Sequence, residues 1–197
     1  MLKLFLAALF AGWLAATPAH AVDIRFTEGY IQARNGNPEG AIAIWGPLAE
    51  NGHVRAQYEL GRLYAAGEGI DADPELAFKW WLLAAESGHK EAQVHIANMY
   101  REGLGTEPDE EKSFAWMSHA ANRGILAAEI GLAKYYYDGY GTERDEKESM
   151  FWLLVAMMSG GMPDTSIGLT MSKIFDRYEM AEIRARADAW LEGGFLR

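Results

Sequence analysis

The sequence predicts an all-α fold in which antiparallel helix pairs stack side by side as a solenoid. Three observations predict it. A stretch of 36 residues recurs without a gap over residues 52–87, 88–123 and 124–159. Each copy contains two runs of apolar residues at helical spacing, separated by glycines that interrupt a helix. Incomplete copies precede and follow these three, as the terminal caps of a solenoid do.

The repeat is defined by columns of identical or similar side chains. Alanine, an aliphatic residue, tyrosine, two glycines and tryptophan return at the same place in every copy. The matched sets are Ala56/Ala92/Ala128, Leu60/Ile96/Leu132, Tyr64/Tyr100/Tyr136, Gly67/Gly103/Gly139, Gly69/Gly105/Gly141 and Trp80/Trp116/Trp152. Self-similarity at a period of this length indicates a repeat architecture, in which each unit buries its apolar face against the next.

The first helix of each copy is predicted from a single apolar face. In residues 52–87, Ala56, Leu60 and Tyr64 lie at helical spacing. Gly67 is expected to end this helix, because glycine readily adopts the left-handed conformation that other residues resist.

The second helix of each copy is predicted to begin at an aspartate. Asp73 is followed by Pro74, a proline at the first helical position, and Asp109 and Asp145 occupy the same column. The buried face of this helix is predicted to consist of Ala77, Trp80, Trp81 and Ala84. Small residues such as Gly61 are expected to let the two helices approach closely.

The two ends of the chain are interpreted as caps. Residues 25–51 read as a truncated N-terminal repeat, whose first helix is predicted around Phe26 to Arg34. Residues 160–197 read as divergent capping helices, the first from Pro163 to Phe175 and the closing one from Asp176 to about Leu191. The closing helix is predicted to turn Met180, Ile183, Ala187 and Trp190 inward, and Arg184 and Arg186 toward solvent.

The third copy departs from the other two at three core columns. Tyr135 stands where the first copy has leucine, and Ser149 and Met157 stand where it has alanine. Looser packing is expected there.

The N-terminal residues 1–21 have the pattern of a cleavable secretory signal, with Lys3, a short apolar run, and small residues at Ala19 and Ala21. The run is shorter than the roughly 20 residues that a membrane-spanning helix needs. Cleavage after Ala21 would leave residues 22–197 as one repeat domain, periplasmic or secreted and not inserted in a membrane. The chain has no cysteine and a formal charge of −10, which excludes disulfides and argues against nucleic acid as a partner.

No catalytic residue, cofactor site or metal site is predicted. His53 and His89 share one repeat column and are interpreted as structural, while His95 lies six residues after His89, which is not the spacing of a helical zinc site. His119 stands alone on a second helix. The chain lacks a nucleophile elbow, a phosphate-binding loop and a dinucleotide fingerprint. The acidic residues cluster at the starts of the second helices, where they complement the helix dipole.

The column order Ala-x-x-x-Leu-Gly-x-x-Tyr, then Gly-x-Gly, Asp, Ala-x-x-Trp and Ala-Ala resembles the Sel-one-like repeat, a relative of the tetratricopeptide repeat. Residues 52–159 carry the motif, and residues 25–51 are similar to the truncated first unit of exported bacterial members. The resemblance implies a right-handed α-solenoid whose concave groove makes protein–protein contacts. The properties of a cysteine-rich branch linked to β-lactam binding are not implied, because this chain has no cysteine.

In tetratricopeptide-like solenoids the first helices line the concave side. Aligning the packing columns places Ala65 and the following predicted partner-binding residues in that groove: Arg55, Tyr58, Arg62, Asn98, Arg101, Lys134 and Tyr137. Four of them, Arg62, Asn98, Arg101 and Lys134, are hypothesised to form a polar ladder that grips the backbone or a carboxylate of an extended peptide. The alternative is that they are ordinary solvated side chains, paired along each helix.

These observations predict a non-enzymatic periplasmic scaffold or adaptor, monomeric, that binds a protein or peptide. One alternative is a protein that binds or hydrolyses cell-wall fragments, and another is a component of a larger envelope assembly. A non-repeating acid or histidine facing the groove would favour the cell-wall alternative, and the sequence shows none that stands out.

Overall fold

A computed structural model describes residues 18–161, Leu169 and residues 173–193; for residues 18–23 it describes the backbone alone. Nine α-helices and no strand occur in these residues, which confirms the all-α prediction. The helices are α1 Pro18–Arg34, α2 Pro38–Glu50, α3 Val54–Ala66, α4 Pro74–Glu86, α5 Lys90–Glu102, α6 Glu110–Ala121, α7 Leu126–Asp138, α8 Glu146–Met158 and α9 Arg177–Gly193.

Each helix packs against the helices that precede and follow it in the chain. The main contacts run from α1 to α2, from α2 to α3, and so on to α8 and α9. The odd-numbered helices α1 to α7 are therefore the first helices of four pairs, and α2 to α8 are the second helices. A stack in which each unit contacts its neighbours is the arrangement of a solenoid, in which stability is built up from unit to unit.

The second helices begin at the predicted aspartates. Side-chain oxygens of Asp73, Asp109 and Asp145 each accept a hydrogen bond at 2.9 Å from the backbone N–H three residues later. The backbone N–H of each aspartate donates at 2.9 Å to the carbonyl of the recurring tyrosine, for example from Asp73 to Tyr64. The aspartate thus caps the second helix and ties it to the first one.

Imidazoles cap two of the first helices. The Nδ1 atom of His53 accepts a hydrogen bond from Ala56 N at 3.1 Å, and Nδ1 of His89 accepts one from Ala92 N at 3.4 Å. Ile125 occupies this position in the third repeat and makes no side-chain cap. The interpretation of His53 and His89 as structural residues is therefore confirmed.

Recurring glycines end the helices. Gly67, Gly103 and Gly139 are the C-caps of α3, α5 and α7, with φ values of 64°, 67° and 72°. This is the left-handed conformation predicted for the column.

The joins between repeats share a single geometry. The backbone N–H groups of His53, His89 and Ile125 each donate to a carbonyl five residues earlier, at 3.0, 2.8 and 3.3 Å. The residue before each of them is a glycine with a φ between 74° and 87°. Successive repeats are therefore connected by the same turn.

The closest approach within a pair occurs where a glycine faces a tryptophan. A Cβ atom added to Gly61 would lie 2.4 Å from Cδ1 of Trp81, so no side chain fits between α3 and α4 at this point. The indole N–H of Trp81 donates to the carbonyl of Tyr58 at 3.1 Å. Gly29 and Trp45 repeat this contact between α1 and α2, where the added Cβ would lie 2.3 Å from the indole.

The third repeat is not loosely packed at two of the three positions where looseness was expected. Tyr135 and Ser149 are 3% and 0% exposed. The Tyr135 hydroxyl lies 2.8 Å from Oγ of Ser113, and the Ser149 hydroxyl donates to the carbonyl of Ala133 at 2.7 Å. The hydroxyl groups find partners, so burial costs little. Met157 does lie at the surface, with 55% of its area exposed.

The closing helix is confirmed. Oδ1 of Asp176 accepts from the N–H of Glu179 at 2.9 Å, and the N–H of Asp176 donates back to Glu179 at 3.1 Å, which is a capping box. Ile183 and Ala187 are buried against the stack. The helix predicted from Pro163 to Phe175 lies mostly outside the described residues. Within that range Leu169 is helical, whereas residues 173–175 form a turn and a bend.

Arg184 and Arg186 are exposed, as predicted, but Arg186 is not merely solvated. Its guanidinium lies 2.6 Å from the carboxylate of Glu148 and 3.9 Å from the ring centroid of Phe151. It therefore connects α9 to α8.

The first helix is longer than predicted, because α1 begins at Pro18 rather than near Phe26. Its contact with the rest of the stack is made by Phe26, Gly29 and Ala33. Among the described residues, no helix combines the length and apolarity needed to cross a membrane.

Candidate functional site

The predicted partner-binding residues lie on three consecutive first helices. Arg55, Tyr58 and Arg62 are on α3, Asn98 and Arg101 on α5, and Lys134 and Tyr137 on α7. All seven are partly or fully exposed, whereas the apolar columns between them are buried. We call the exposed surface formed by these seven residues and Ala65 the first-helix face.

The cations of the predicted ladder already have carboxylate partners on their own helices. Nε of Arg62 lies 2.9 Å from Glu59, and Nη2 of Arg101 lies 2.6 Å from Glu102. Lys134 pairs with Asp138 one turn later. Only the pair of Lys134 and Asp138 has the i, i+4 spacing of the alternative interpretation, because the other two pairs join residues three apart and one apart. Asn98 is the ladder member without a charged partner in the described part of the chain.

Three other residues of the first-helix face, Arg55, Tyr58 and Tyr137, make stacking or cation–ring contacts. The rings of Tyr58 and His89 stack at 4.1 Å with 13° between their planes, and Arg55 lies over Phe26 at 4.3 Å. The guanidinium of Arg144 lies 5.1 Å from the ring of Tyr137. Burial raises the pKa of the Tyr58 hydroxyl, with the charges of Glu59 and Glu91 acting in the same direction.

His95 is a functional candidate that the sequence interpretation passed over. Its ring stacks on Trp81 of the preceding second helix, with centroids 4.0 Å apart and 8° between the planes. Burial lowers the pKa of His95, and the neighbouring His89 lowers it further, so the imidazole is neutral near pH 7. Glu59 and Gly131 occupy this column in the adjacent repeats, so His95 is a non-repeating histidine that the sequence analysis did not single out.

A cavity of 250 Å³ opens beside His95, between α3, α4 and α5. Its lining contains Ala65 and Asn98, two residues predicted from the sequence for the groove. The other lining residues are Pro74, Ala77, Trp81, His95, Met99, Glu102 and Leu104. The cavity therefore belongs to the same surface as the predicted binding residues.

A second cavity, of 360 Å³, lies between α6, α7, α8 and α9. Half of its lining residues are aromatic: Phe114, Tyr136, Phe151, Trp152 and Trp190. The charges of Arg186 and Glu148 within it are paired with each other at 2.6 Å. We interpret it as a packing interface of the closing helix.

The described residues contain no group of three or more histidine, aspartate or glutamate side chains placed to hold a metal ion. The recurring aspartates of the second helices act as helix caps.

Comparison with known proteins places the chain in a family. The Sel1 repeat matches residues 54–89, 90–125 and 126–160, in register with the three copies and two residues later than their expected starts. The chain belongs to the Sel1 repeat family. Proteins built from this repeat are generally scaffolds for protein–protein interactions and typically have no enzymatic activity.

Two solved structures are similar to the fold. The first is the crystal structure of a Sel1 repeat protein from Oxalobacter formigenes, which has 31% identity and a TM-score of 0.57 and covers 67% of this chain and 97% of that chain. The second is c5321, a protective antigen present in uropathogenic Escherichia coli strains displaying an SLR fold. It has 24% identity and a TM-score of 0.52 and covers 88% of this chain and 46% of that chain, so the similarity to it concerns the fold alone. No curated protein matches the sequence at a significant level.

Proposed function

We propose that the protein is an exported adaptor that binds an extended segment of a partner protein along the first-helix face. The observation that carries the proposal is that α3, α5 and α7, the first helices of three consecutive repeats, each carry exposed columns beside buried ones. The ring of Tyr58 on α3 also contacts His89 and His95 of the next repeat. Such a surface offers side chains at regular intervals, which suits an extended peptide.

The ion pairs on this surface are compatible with binding. Arg62, Arg101 and Lys134 are 43%, 40% and 61% exposed, and exposed ion pairs contribute only about 0.2–1 kcal/mol each. A carboxylate of the partner can therefore displace Glu59 from Arg62 or Asp138 from Lys134 at small cost. Because these charges are exposed, we expect the affinity to fall as the salt concentration rises.

The test is an affinity capture from envelope extract, with bound proteins identified by mass spectrometry. The variant Arg62→Glu/Lys134→Glu reverses two charges on the first-helix face. The matched control, Lys79→Glu/Arg177→Glu, reverses two exposed charges elsewhere, on α4 and α9. We expect a partner retained by wild type and control and lost by the first variant. A partner retained equally by all three proteins would place its binding site elsewhere.

Export is supported by the signal-like pattern of residues 1–21. Cleavage after Ala21 would remove the first turn of α1 and leave the packing contacts from Phe26 onward intact. Mass spectrometry of the protein from a periplasmic fraction should show an N-terminus at Val22. Recovery of the uncleaved chain from the cytoplasm would refute the export proposal.

The adaptor is proposed to act as a monomer. A mass from light scattering that is independent of protein concentration is the expected result, and a dimer mass would contradict it.

A further inference from the structure

The cavity between α3, α4 and α5 has an apolar floor. Ala77, Trp81 and Met99 line it and are 0%, 6% and 5% exposed. The indole N–H of Trp81 is not available to a ligand, because it donates a hydrogen bond to the carbonyl of Tyr58. Leu104 adds an aliphatic side chain with 46% of its area exposed. We call this cavity the socket.

Three of the other lining residues, Asn98, Glu102 and His95, are polar. The amide of Asn98 makes no hydrogen bond to any residue that the structure describes, so its donor and acceptor are available to a peptide backbone. Glu102 pairs with Arg101 through Oε1 alone, which leaves its second carboxylate oxygen outside that pair. The imidazole of His95 is stacked on Trp81 and contributes no charge near pH 7.

The volume of the socket limits the size of the group that can bind in it. Small-molecule sites typically have volumes of roughly 300–1,000 Å³ and enclose most of the ligand. The socket, with 250 Å³, is smaller than that range and is open to the first-helix face. It is suited to one apolar side chain that projects from a longer ligand.

In the next repeat, tyrosines replace two of the residues that line the socket. Tyr135 and Tyr140 stand in the columns of Met99 and Leu104, and their ring centroids are 4.9 Å apart. The Tyr135 hydroxyl reaches Ser113, which replaces Ala77. The equivalent space between α5, α6 and α7 is thus occupied by rings. The socket therefore distinguishes α5 from α7 on the first-helix face and gives a bound peptide a reference point for its register.

We infer that the socket receives one side chain of about the size of leucine or methionine from the bound peptide, and that a lysine or arginine next to it contacts Glu102. This inference rests on the proposed function. The apolar floor calls for an apolar side chain. The carboxylate of Glu102 and the net charge of −10 of the chain favour a cationic neighbour.

The probe is a synthetic peptide, acetyl-Gly-Ser-Leu-Lys-Ser-Gly-amide, with two analogues in which leucine is replaced by glycine or lysine by glutamate. Binding is followed by NMR of the mature protein labelled at the methionine methyl groups. We expect the Met99 methyl signal to shift on titration and the Met117 signal, from the same column as Trp81 in the next repeat, to stay in place. Loss of the leucine should weaken binding about tenfold or more, since burying such a side chain contributes about 1.5–3 kcal/mol.

Two variants of neighbouring alanines test the location. Ala65 lines the socket and Ala66 does not, and both are exposed on α3. Ala65→Trp should fill the socket and abolish the Met99 shift, while Ala66→Trp should bind as wild type does. Glu102→Gln should reduce the preference for the lysine peptide over the glutamate peptide. Circular dichroism checks that the variants are folded.

The outcomes separate the inference from the proposed function. An unshifted Met99 signal, or equal binding by Ala65→Trp and Ala66→Trp, overturns the socket. If a partner captured from the envelope is nevertheless lost in Arg62→Glu/Lys134→Glu, the partner binds the first-helix face but does not use the socket. If that partner is retained and the peptide still shifts Met99, the socket binds side chains although the wider face is not the adaptor surface.

Discussion

A buried carboxyl group distinguishes the third repeat from the first two. Gln57 and Gln93 occupy one column and donate from Nε2 to the carbonyls of Ala49 and Ala85, at 3.0 and 3.3 Å. Glu129 takes their place in the third repeat and is 0% exposed. Neither of its carboxylate oxygens has a hydrogen-bond partner in the described structure, and an ionised carboxylate cannot donate. Burial raises the pKa of Glu129 above its ordinary value of 4.5, and the nearby Ser159 hydroxyl opposes the shift.

Glu129→Gln is therefore expected to stabilise the protein at neutral pH. The folded chain keeps a proton on Glu129 that the unfolded chain releases near pH 4.5. The contribution of this proton is complete below that pH and is lost as pH rises toward the raised pKa of the folded state. Glutamine restores a donor without a charge, and the gain should be about 1–3 kcal/mol. Urea unfolding at several pH values measures it.

The control is the opposite substitution, glutamine to glutamate, at the equivalent position of the first repeat. Gln57→Glu places a carboxyl at the equivalent buried position and should make the free energy of unfolding fall as pH rises. Equal stability of wild type and Glu129→Gln across the whole pH range would show that the Glu129 carboxyl is solvated in the folded protein.

At the scale of the helix, the His89 cap makes the N-terminus of α5 sensitive to acid. His89 accepts the N–H of Ala92 only when Nδ1 is unprotonated, and burial lowers its pKa below 6.5 despite the opposing charges of Glu91 and Glu59. Its contribution to stability is complete above pH 6.5. It declines as pH falls below that value, until the folded protein also takes up the proton.

His89→Asn should retain the cap and remove this acid sensitivity. Asparagine is among the best N-cap residues, and loss of a cap typically costs about 0.5–2 kcal/mol. The expected result is a smaller loss of unfolding free energy between about pH 7.5 and pH 5.5 than in wild type. His119→Asn changes an exposed histidine that caps no helix and serves as the control. An unchanged pH dependence in His89→Asn would show that titration of His89 is not the source of the acid sensitivity.

The helices themselves were predictable because their signals are local. Asp73 and Gly67 act on backbone groups within a few residues, and their recurrence removed the ambiguity that a single copy would leave. The ion pair between Glu59 and Arg62 was also visible as a spacing of three residues. The stacking of His95 on Trp81 was not, because it joins two helices whose relative position no local pattern encodes. Comparing repeat columns was the available signal, since His95 and Glu129 both depart from theirs.

At the scale of the whole molecule, the closing helix should stabilise its neighbours more than the distant repeats. Ala187 is 0% exposed, while Ala181 on the same helix is exposed. Ala187→Arg forces a long charged side chain into the α8 contact and should detach α9. Because each unit packs mainly on its neighbours, we expect hydrogen exchange to accelerate in α7 and α8 and to change little in α2 to α4.

Ala181→Arg adds the same side chain at the surface of α9 and should leave exchange near that of wild type. A uniform acceleration along the chain in Ala187→Arg would instead mean that the whole stack opens as one cooperative unit.

Because the turns between repeats are identical, the protein can become longer or shorter by whole repeats. Since the joins before His53, His89 and Ile125 are equivalent, residues 88–123 can be cut out and the two new ends will meet in a junction that the molecule already uses. Duplicating those residues would likewise use only the turn that already joins the repeats. An in-frame recombination event can therefore lengthen or shorten the binding surface by one helix pair. A duplication would also copy α5, and with it Asn98 and five of the nine residues that line the socket.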